Sequence, residues 1–367
     1  MTTGYSIAAI VRAAKPGSGV VISSGLYRET LVIDKPLQLV DDGSEGVVEL
    51  GSRKGPGIVI KGTDAEIRGL TLHGRSQSPL ITVLDGGRLL IEDCTLRGGS
   101  PACIVLHDHE IVVNRCRISK GKIGVLLDAK YGSQSILTDC QIYENEGPGI
   151  RIEGESNPTI KNCEIHDNEG SGIDVKREGE GTPARLRPTV AKCRIYSNDD
   201  SGISFYGPGI GGEIQKCEIR DCKWGIFLDD GAYPQILDRE IHKCKNSGIV
   251  IGRGYQETGV EQVLRTFVHS AKISKMQGAG ILILEQSAPI IWGVDIRDCC
   301  RDGIIICSGS NPTLRELTIE HNVEAGIVVK SGGRGVLLAS KVRENGEPGL
   351  HIEDGGDLTV GDGCEID

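Results

Sequence analysis

The chain has 367 residues, a formal net charge of −10, 4% aromatic residues and 13 cysteines. The acidic balance disfavours nucleic acid as a partner, which selects a basic face. No run of about 18 apolar residues is present to cross a membrane as a helix, so no membrane partner is expected.

Taken in order, Thr2–Ala14 is predicted as a short helix with Ile7, Ile10 and Val11 on one face, stopped by Pro16 and Gly17. Its charges, Arg12 and Lys15, follow the apolar stretch instead of preceding it, which reads as a cap on the fold and not as a signal peptide. Gly19–Leu50 carries the short strands of the first coils. From there a unit recurs, opening at Gly57, Leu80, Cys103, Gly124, Gly149, Gly172, Gly202, Gly225, Gly248, Gly280, Gly303, Gly326 and Gly349, and eight of the twelve intervals are 23 residues. A fixed period of this length means stacked repeats.

Within a unit the apolar residues alternate, as in Ile150, Ile152 and Ile160, which is the period of a strand. The expected fold is therefore all-β. It is a single right-handed parallel β-helix of about 13 or more coils of ~23 residues, with residues 1–18 as the capping helix and 19–367 as the solenoid. Two units are longer: Gly172 to Gly202 spans 30 residues and Gly248 to Gly280 spans 32. Their extra residues, KREGEGTPARLRP and GRGYQETGVEQVLRT, follow the opening strand in both cases, and insertions on one face of a solenoid often mark its working face. The last coil ends without a capping helix, leaving an exposed edge that invites pairing.

The repeat also aligns columns of side chains. The residue after each opening position is Ile, Val or Leu throughout, and a one-residue slip would turn that column outward. Cys94, Cys116, Cys140, Cys163, Cys193, Cys217 and Cys364 form a corner column, read as small buried hydrophobes and not as disulfides or a metal site. Asn145, Asn168, Asn198, Asn322 and Asn345 form a turn column, with Cys222, Cys244 and Cys299 in the same slot. Asn tolerates left-handed backbone and bonds neighbouring backbone groups, so an amide ladder is expected there. So many core thiols suit a reducing compartment, and the chain is read as cytoplasmic.

The GI opening, the NCxI corner, the Asn turn and the stretch GLYRETLVIDKPLQLV together resemble the right-handed parallel β-helix proteins of the pectate-lyase-like superfamily. The resemblance implies the fold along essentially the whole chain. It leaves function open, because the superfamily includes polysaccharide lyases, hydrolases, epimerases and non-catalytic binding repeats. Its lyases use calcium-binding Asp clusters and an Arg base, for which Asp229 and Asp230 are the nearest match. Asn198-Asp199-Asp200 is superficially similar to the hydrolases' paired Asp but lies at the Asn turn. His107-Asp108-His109-Glu110 is similar to the epimerases' DPHE motif without its Pro.

Outward positions supply the candidates. Arg151, Glu153, Asp174, Lys176, Tyr206 and Asp229 fall on consecutive coils, bordered by Arg185 and Arg187 of the first insertion, and mix carboxylates with cations as a sugar-acid site would. His269 and Trp292 point outward beside the second insertion, where a Trp can stack on a sugar ring or anchor the loop through Val260, Val263 and Leu264. Phe227, Val250, Leu282, Ile305 and Val328 form an apolar outward stripe, a candidate face for a protein partner or for self-association, as is the open last coil. No metal or other cofactor is expected, with Ca²⁺ entering only under an enzymatic reading. The function read from these features is a non-catalytic binding or scaffold protein recognising a protein partner or a glycan. The alternative is a lyase, hydrolase or epimerase acting on a uronic-acid polysaccharide.

Overall fold

Runs of three to five alternating apolar residues, each closed by a turn, are too short to fold alone and are stabilised only by stacking on their own repeats. A computed structural model describes residues 6–367 except 44–45, 52–54, 75–76, 108–109, 130–131, 178–185 and 254–264. The chain is a parallel β-solenoid of about 14 turns with, among the described residues, one short N-terminal helix. It divides into two compact units, Met1–Asp174 and Val175–Asp367.

In the first unit, three rows of strands stack in parallel. The opening row runs from Leu31–Ile33 through Ile58–Lys61, Ile81–Leu84, Ile104–His107 and Val125–Ala129 to Ile150–Gly154. A second row runs from Ser18–Ile22 to Thr159–Lys161, and a third from Gly25–Tyr27 to Glu164–His166. The second unit repeats the pattern. Its opening row runs from Ser201–Tyr206 and Trp224–Asp229 to Leu350–Ile352. Its second row runs from Thr189–Ala191 to Asp357–Val360, and its third from Arg194–Tyr196 to Glu365–Ile366. Inward residues such as Ile152, Ile226 and Ile304 are fully buried, so the predicted register holds.

The helix is Ile7–Ala13, with Ser6 as its N-cap. The Ser6 hydroxyl accepts from the Ala9 N–H at 3.1 Å, and the Glu29 carboxylate accepts from Ser6 Oγ and the Ala8 N–H, placing negative charge at the positive end of the helix. Ile7 and Val11 are buried, and the helix packs on Leu31–Ile33, but Ile10 is exposed, contrary to the three-residue face read from the sequence. A two-turn helix buries a single i, i+4 seam, and Ile10 lies off it.

The amide column forms the expected ladder. Asn145 Nδ2 donates to Asn168 Oδ1 at 2.8 Å, and Asn322 Nδ2 to Asn345 Oδ1 at 3.0 Å. The Gly121 N–H donates to Asn145 Oδ1, and the Cys299 N–H to Asn322 Oδ1. The left-handed backbone, however, belongs to the residue before each Asn: Glu144, Asp167, Ser197, His321 and Glu344 have φ of 51–58°. Asn is selected for its amide, which serves buried backbone groups, and the turn is made one position earlier. Asn145→Ala is expected to cost about 2–4 kcal/mol, because it strips partners from the buried Gly121 N–H and from Asn168. Denaturant unfolding would show this, with a smaller loss for the less buried Asn345→Ala.

The column cysteines are all free. From Cys94 to Cys217 each thiol donates to the carbonyl two residues back, as Cys94 does to Glu92 at 3.2 Å, and most donate also to a carbonyl of the preceding coil, here Ile67 at 3.5 Å; Cys364 donates to Leu337 of the preceding coil. In the turn slot, burial pushes the Cys244 thiol up to about 12, so it stays protonated.

Candidate functional site

Three groups of outward side chains take shape, each within one unit. In the first unit, Arg151 lies beside Asp174 on the next coil, with Nη2 2.8 Å and Nε 3.0 Å from Asp174 Oδ2. The Glu153 carboxylate is 3.6 Å from Arg151 Nε. All three are half-buried or buried, so the pair is screened less than a surface ion pair. His107, Asp128 and Glu153 stack in register one coil apart, and His107 Nδ1 is 3.4 Å from Asp128 Oδ2. Of the His-Asp-His-Glu motif, Asp108 and His109 lie outside the described residues.

The remaining charged candidates belong to the second unit. Tyr206 is 44% exposed, and its ring stacks on Phe227 at 5.6 Å. Phe227 in turn meets Trp224 at 5.2 Å, and Lys223 Nζ lies 3.9 Å over the Trp224 ring. Asp229, in register with Tyr206, accepts from the Asp230 N–H at 2.8 Å and shapes the turn that follows. Lys176 closes the strand Ile173–Lys176 and is half-buried. The Arg187 guanidinium donates to the Leu186 and Gly209 carbonyls, both at 2.7 Å, and to the Tyr233 hydroxyl, and it stacks over the Tyr233 ring. It is committed to holding its own loop. Arg185 lies outside the described residues, as do Val260, Val263 and Leu264, the residues read as a loop anchor for Trp292.

The apolar stripe is in register, from Phe227 through Val250, Leu282 and Ile305 to Val328. It is not an open face. Val250 is 2% and Val328 6% exposed, and Phe227, Leu282 and Ile305 are half-buried. The short valines sit in line between longer neighbours on adjacent coils, which close over them.

The third group is centred on Trp292, which is 37% exposed on the second row. His269, Trp292 and Arg315 occupy one register position on successive coils. The His269 ring meets Trp292 edge-on at 5.1 Å, and Phe267 stacks parallel to His269 at 5.8 Å. The indole Nε1–H donates to Glu316 Oε2 at 2.6 Å, Arg315 Nε is 3.1 Å from Glu316 Oε1, and the guanidinium lies 5.4 Å from the Trp292 ring centre. These contacts fix the ring in one orientation. The Trp292 indole N–H and the Arg315 guanidinium hold the Glu316 carboxyl below its ordinary value. Glu316 is thus an ionised acceptor at neutral pH and a poor general acid. Sequence reading found His269 and Trp292 but missed Arg315 and Glu316, although Arg315 stands one 23-residue period after Trp292. Among the described residues, no group of three or more His, Cys, Asp and Glu side chains is placed to hold a metal ion.

The sequence profile of the family described as "Right handed beta helix region" matches residues 56–185, 182–263 and 258–367. The chain belongs to this right-handed β-helix family. No curated protein sequence matches it significantly. Among solved structures, this β-helix is similar to the A-module of the Azotobacter vinelandii mannuronan C-5 epimerase AlgE6, with a TM-score of 0.62, 16% identity, and 97% of this chain and 92% of that chain covered. The A-module of AlgE4 from the same organism gives a TM-score of 0.58 at 14% identity, covering 98% and 93% of the two chains. The catalytic domain of a GH87 α-1,3-glucanase, solved with nigerose, gives 0.53 at 12% identity, covering 100% of this chain and 68% of that one. At such identities the likeness is one of fold.

Proposed function

We propose that this β-helix binds a glycan without catalysing its conversion, using the second-row face of its second unit with Trp292 as the stacking platform. The observation that carries the reading is the exposed Trp292 ring, held by Glu316 and flanked by His269 and Arg315. A fixed aromatic face suits the apolar face of a sugar ring, and the ionised Glu316 and the guanidinium of Arg315 suit its hydroxyls. The depressed Glu316 carboxyl favours binding over acid catalysis. The similar solved folds named as epimerases and a glucanase support a carbohydrate ligand.

The enzymatic reading, a lyase, hydrolase or epimerase on a uronic-acid polysaccharide, draws on the Arg151, Glu153 and Asp174 group of the first unit. One experiment separates the two. The purified protein is incubated with pectic, alginate, glycosaminoglycan and α-glucan panels, with and without Ca²⁺, and both affinity and products are measured. The expected result is binding to at least one panel member with no new product. Trp292→Ala is expected to weaken that binding about 10- to 100-fold, the range of an aromatic hot spot, at unchanged thermal stability. New oligosaccharides or epimerised residues would establish the enzymatic reading. Binding untouched by Trp292→Ala would move the site elsewhere.

A further inference from the structure

The corner column of the second unit contains one residue that does not fit an apolar core. Register on both sides, Gln215 with Leu237 and Glu218 with Glu240, puts Arg239 opposite Cys217 in the slot the cysteines hold on earlier coils. Arg239 is only 5% exposed. Its Nη2 donates to the carbonyls of Leu237, two residues back, at 2.8 Å, and of Ile214 on the preceding coil. Cys217 makes the same two kinds of contact, to Gln215 at 3.3 Å and Val190 at 3.6 Å. One arm of the guanidinium therefore does what a thiol does in this column. The rest has no counterpart: Nε and Nη1 are buried and make no hydrogen bond among the described residues.

A buried guanidinium with open N–H groups needs an acceptor, and its charge needs a counter-charge. Among the described residues no acceptor meets these two N–H groups, and the groups whose charge reaches the guanidinium are Cys217 and Asp238. Asp238 precedes Arg239 but is exposed at a left-handed corner. Cys217 already donates its S–H to two carbonyls. The facing residue on the next coil is Ala271, and the coils after it place the larger Val294 and Leu317 in this slot. Ala271, smaller than the Val294 and Leu317 that follow it in the column, thus lies against the cation.

We propose that the Arg239 guanidinium, beside Ala271, is a binding site for a small monovalent anion of chloride size inside the coil. The anion accepts from an N–H that the backbone carbonyls leave open, and it neutralises the charge of the buried guanidinium. Desolvation lowers the Arg239 guanidinium to about 9, which still leaves it protonated and in need of a counter-ion at neutral pH.

The test uses the whole chain, unfolded and refolded in sodium gluconate, chloride or bromide at constant ionic strength so that an internal ion exchanges. Thermal midpoints are read by circular dichroism. The expected result is a rise of about 2 °C or more in chloride or bromide for the wild type. That rise should be absent in Arg239→Met and in Ala271→Val, which keeps the cation but sets a bulkier side chain against it. Crystals grown in bromide should show an anomalous peak in contact with the guanidinium. Equal halide responses in wild type and Arg239→Met, or bromide crystals with no peak at Arg239, would overturn the proposal. So would loss of stability in gluconate on Cys217→Ser alone, which would make Cys217 the counter-ion.

Discussion

Gly225→Ala is expected to destabilise the protein by about 3 kcal/mol or to prevent its folding, although the substitution adds a single methyl group to a strand. A Cβ at Gly225 would lie 2.4 Å from the Gly248 carbonyl oxygen and 2.4 Å from Ile241 Cγ2. The Gly248 carbonyl cannot retreat, because it accepts the Ile226 N–H at 2.9 Å and so sets the stacking of the two coils. The same conflict recurs at Gly202, Gly280, Gly303 and Gly326, where the added carbon would meet the carbonyl of the next glycine in the column at 2.5–2.8 Å. The requirement is close approach of backbone to backbone, since none of these five has a positive φ. Denaturant unfolding measures the loss. The control is Gly17→Ala at the end of the helix, where no atom lies within 4 Å and only the cost of its φ of 80° remains, about 1 kcal/mol. Equal losses at Gly225 and Gly17 would mean that crowding is not what keeps glycine in the column.

That column explains why the fold was so legible in the sequence. A 23-residue period, a glycine that admits the next coil and an Ile turned inward after it are all local, and each repeats often enough to be read without a structure. What the sequence concealed depends on what lies one coil away. Asn145 announces a turn, but the left-handed residue is Glu144, because the amide is needed by buried backbone groups of the neighbouring coils. The apolar stripe from Phe227 to Val328 has the composition of an open patch, and only the lengths of its neighbours show that Val250 and Val328 are covered. Trp292 was visible as an outward aromatic, whereas the Glu316 and Arg315 that orient it come from the following coil. Arg239 was hidden differently. It sits at the cysteine position of its repeat, and a reading that expects a small apolar residue there passes over a guanidinium.

Replacing Arg239 by methionine is expected to stabilise the protein by about 1–4 kcal/mol in halide-free solution at neutral pH, the range seen when buried charges give way to apolar residues of similar volume. Methionine keeps much of the length of the side chain and adapts its packing against Ala271. It gives up only the donation to the Leu237 and Ile214 carbonyls. The groups facing the guanidinium are the Cys217 thiol on the preceding coil, Ala271 on the following one and the exposed Asp238 on its own strand; Cys217 and Asp238 favour its charged form, but desolvation outweighs them. The pH dependence follows from the lowering of the guanidinium to about 9 by desolvation. An arginine lowered in the fold binds fewer protons there than in the unfolded chain, so wild-type stability rises with pH through that interval. Below about pH 9 the folded protein carries the full penalty, and the gain from methionine is constant. As the pH climbs past 9, folded Arg239 sheds its proton, the penalty falls, and the two proteins converge. Urea unfolding of both between pH 7 and 10.5 isolates this single group, because every other titration is common to the pair. A variant less stable than the wild type at pH 7, or a gap that widens in alkali, would mean that the guanidinium is held in the core by an interaction stronger than its two carbonyls supply.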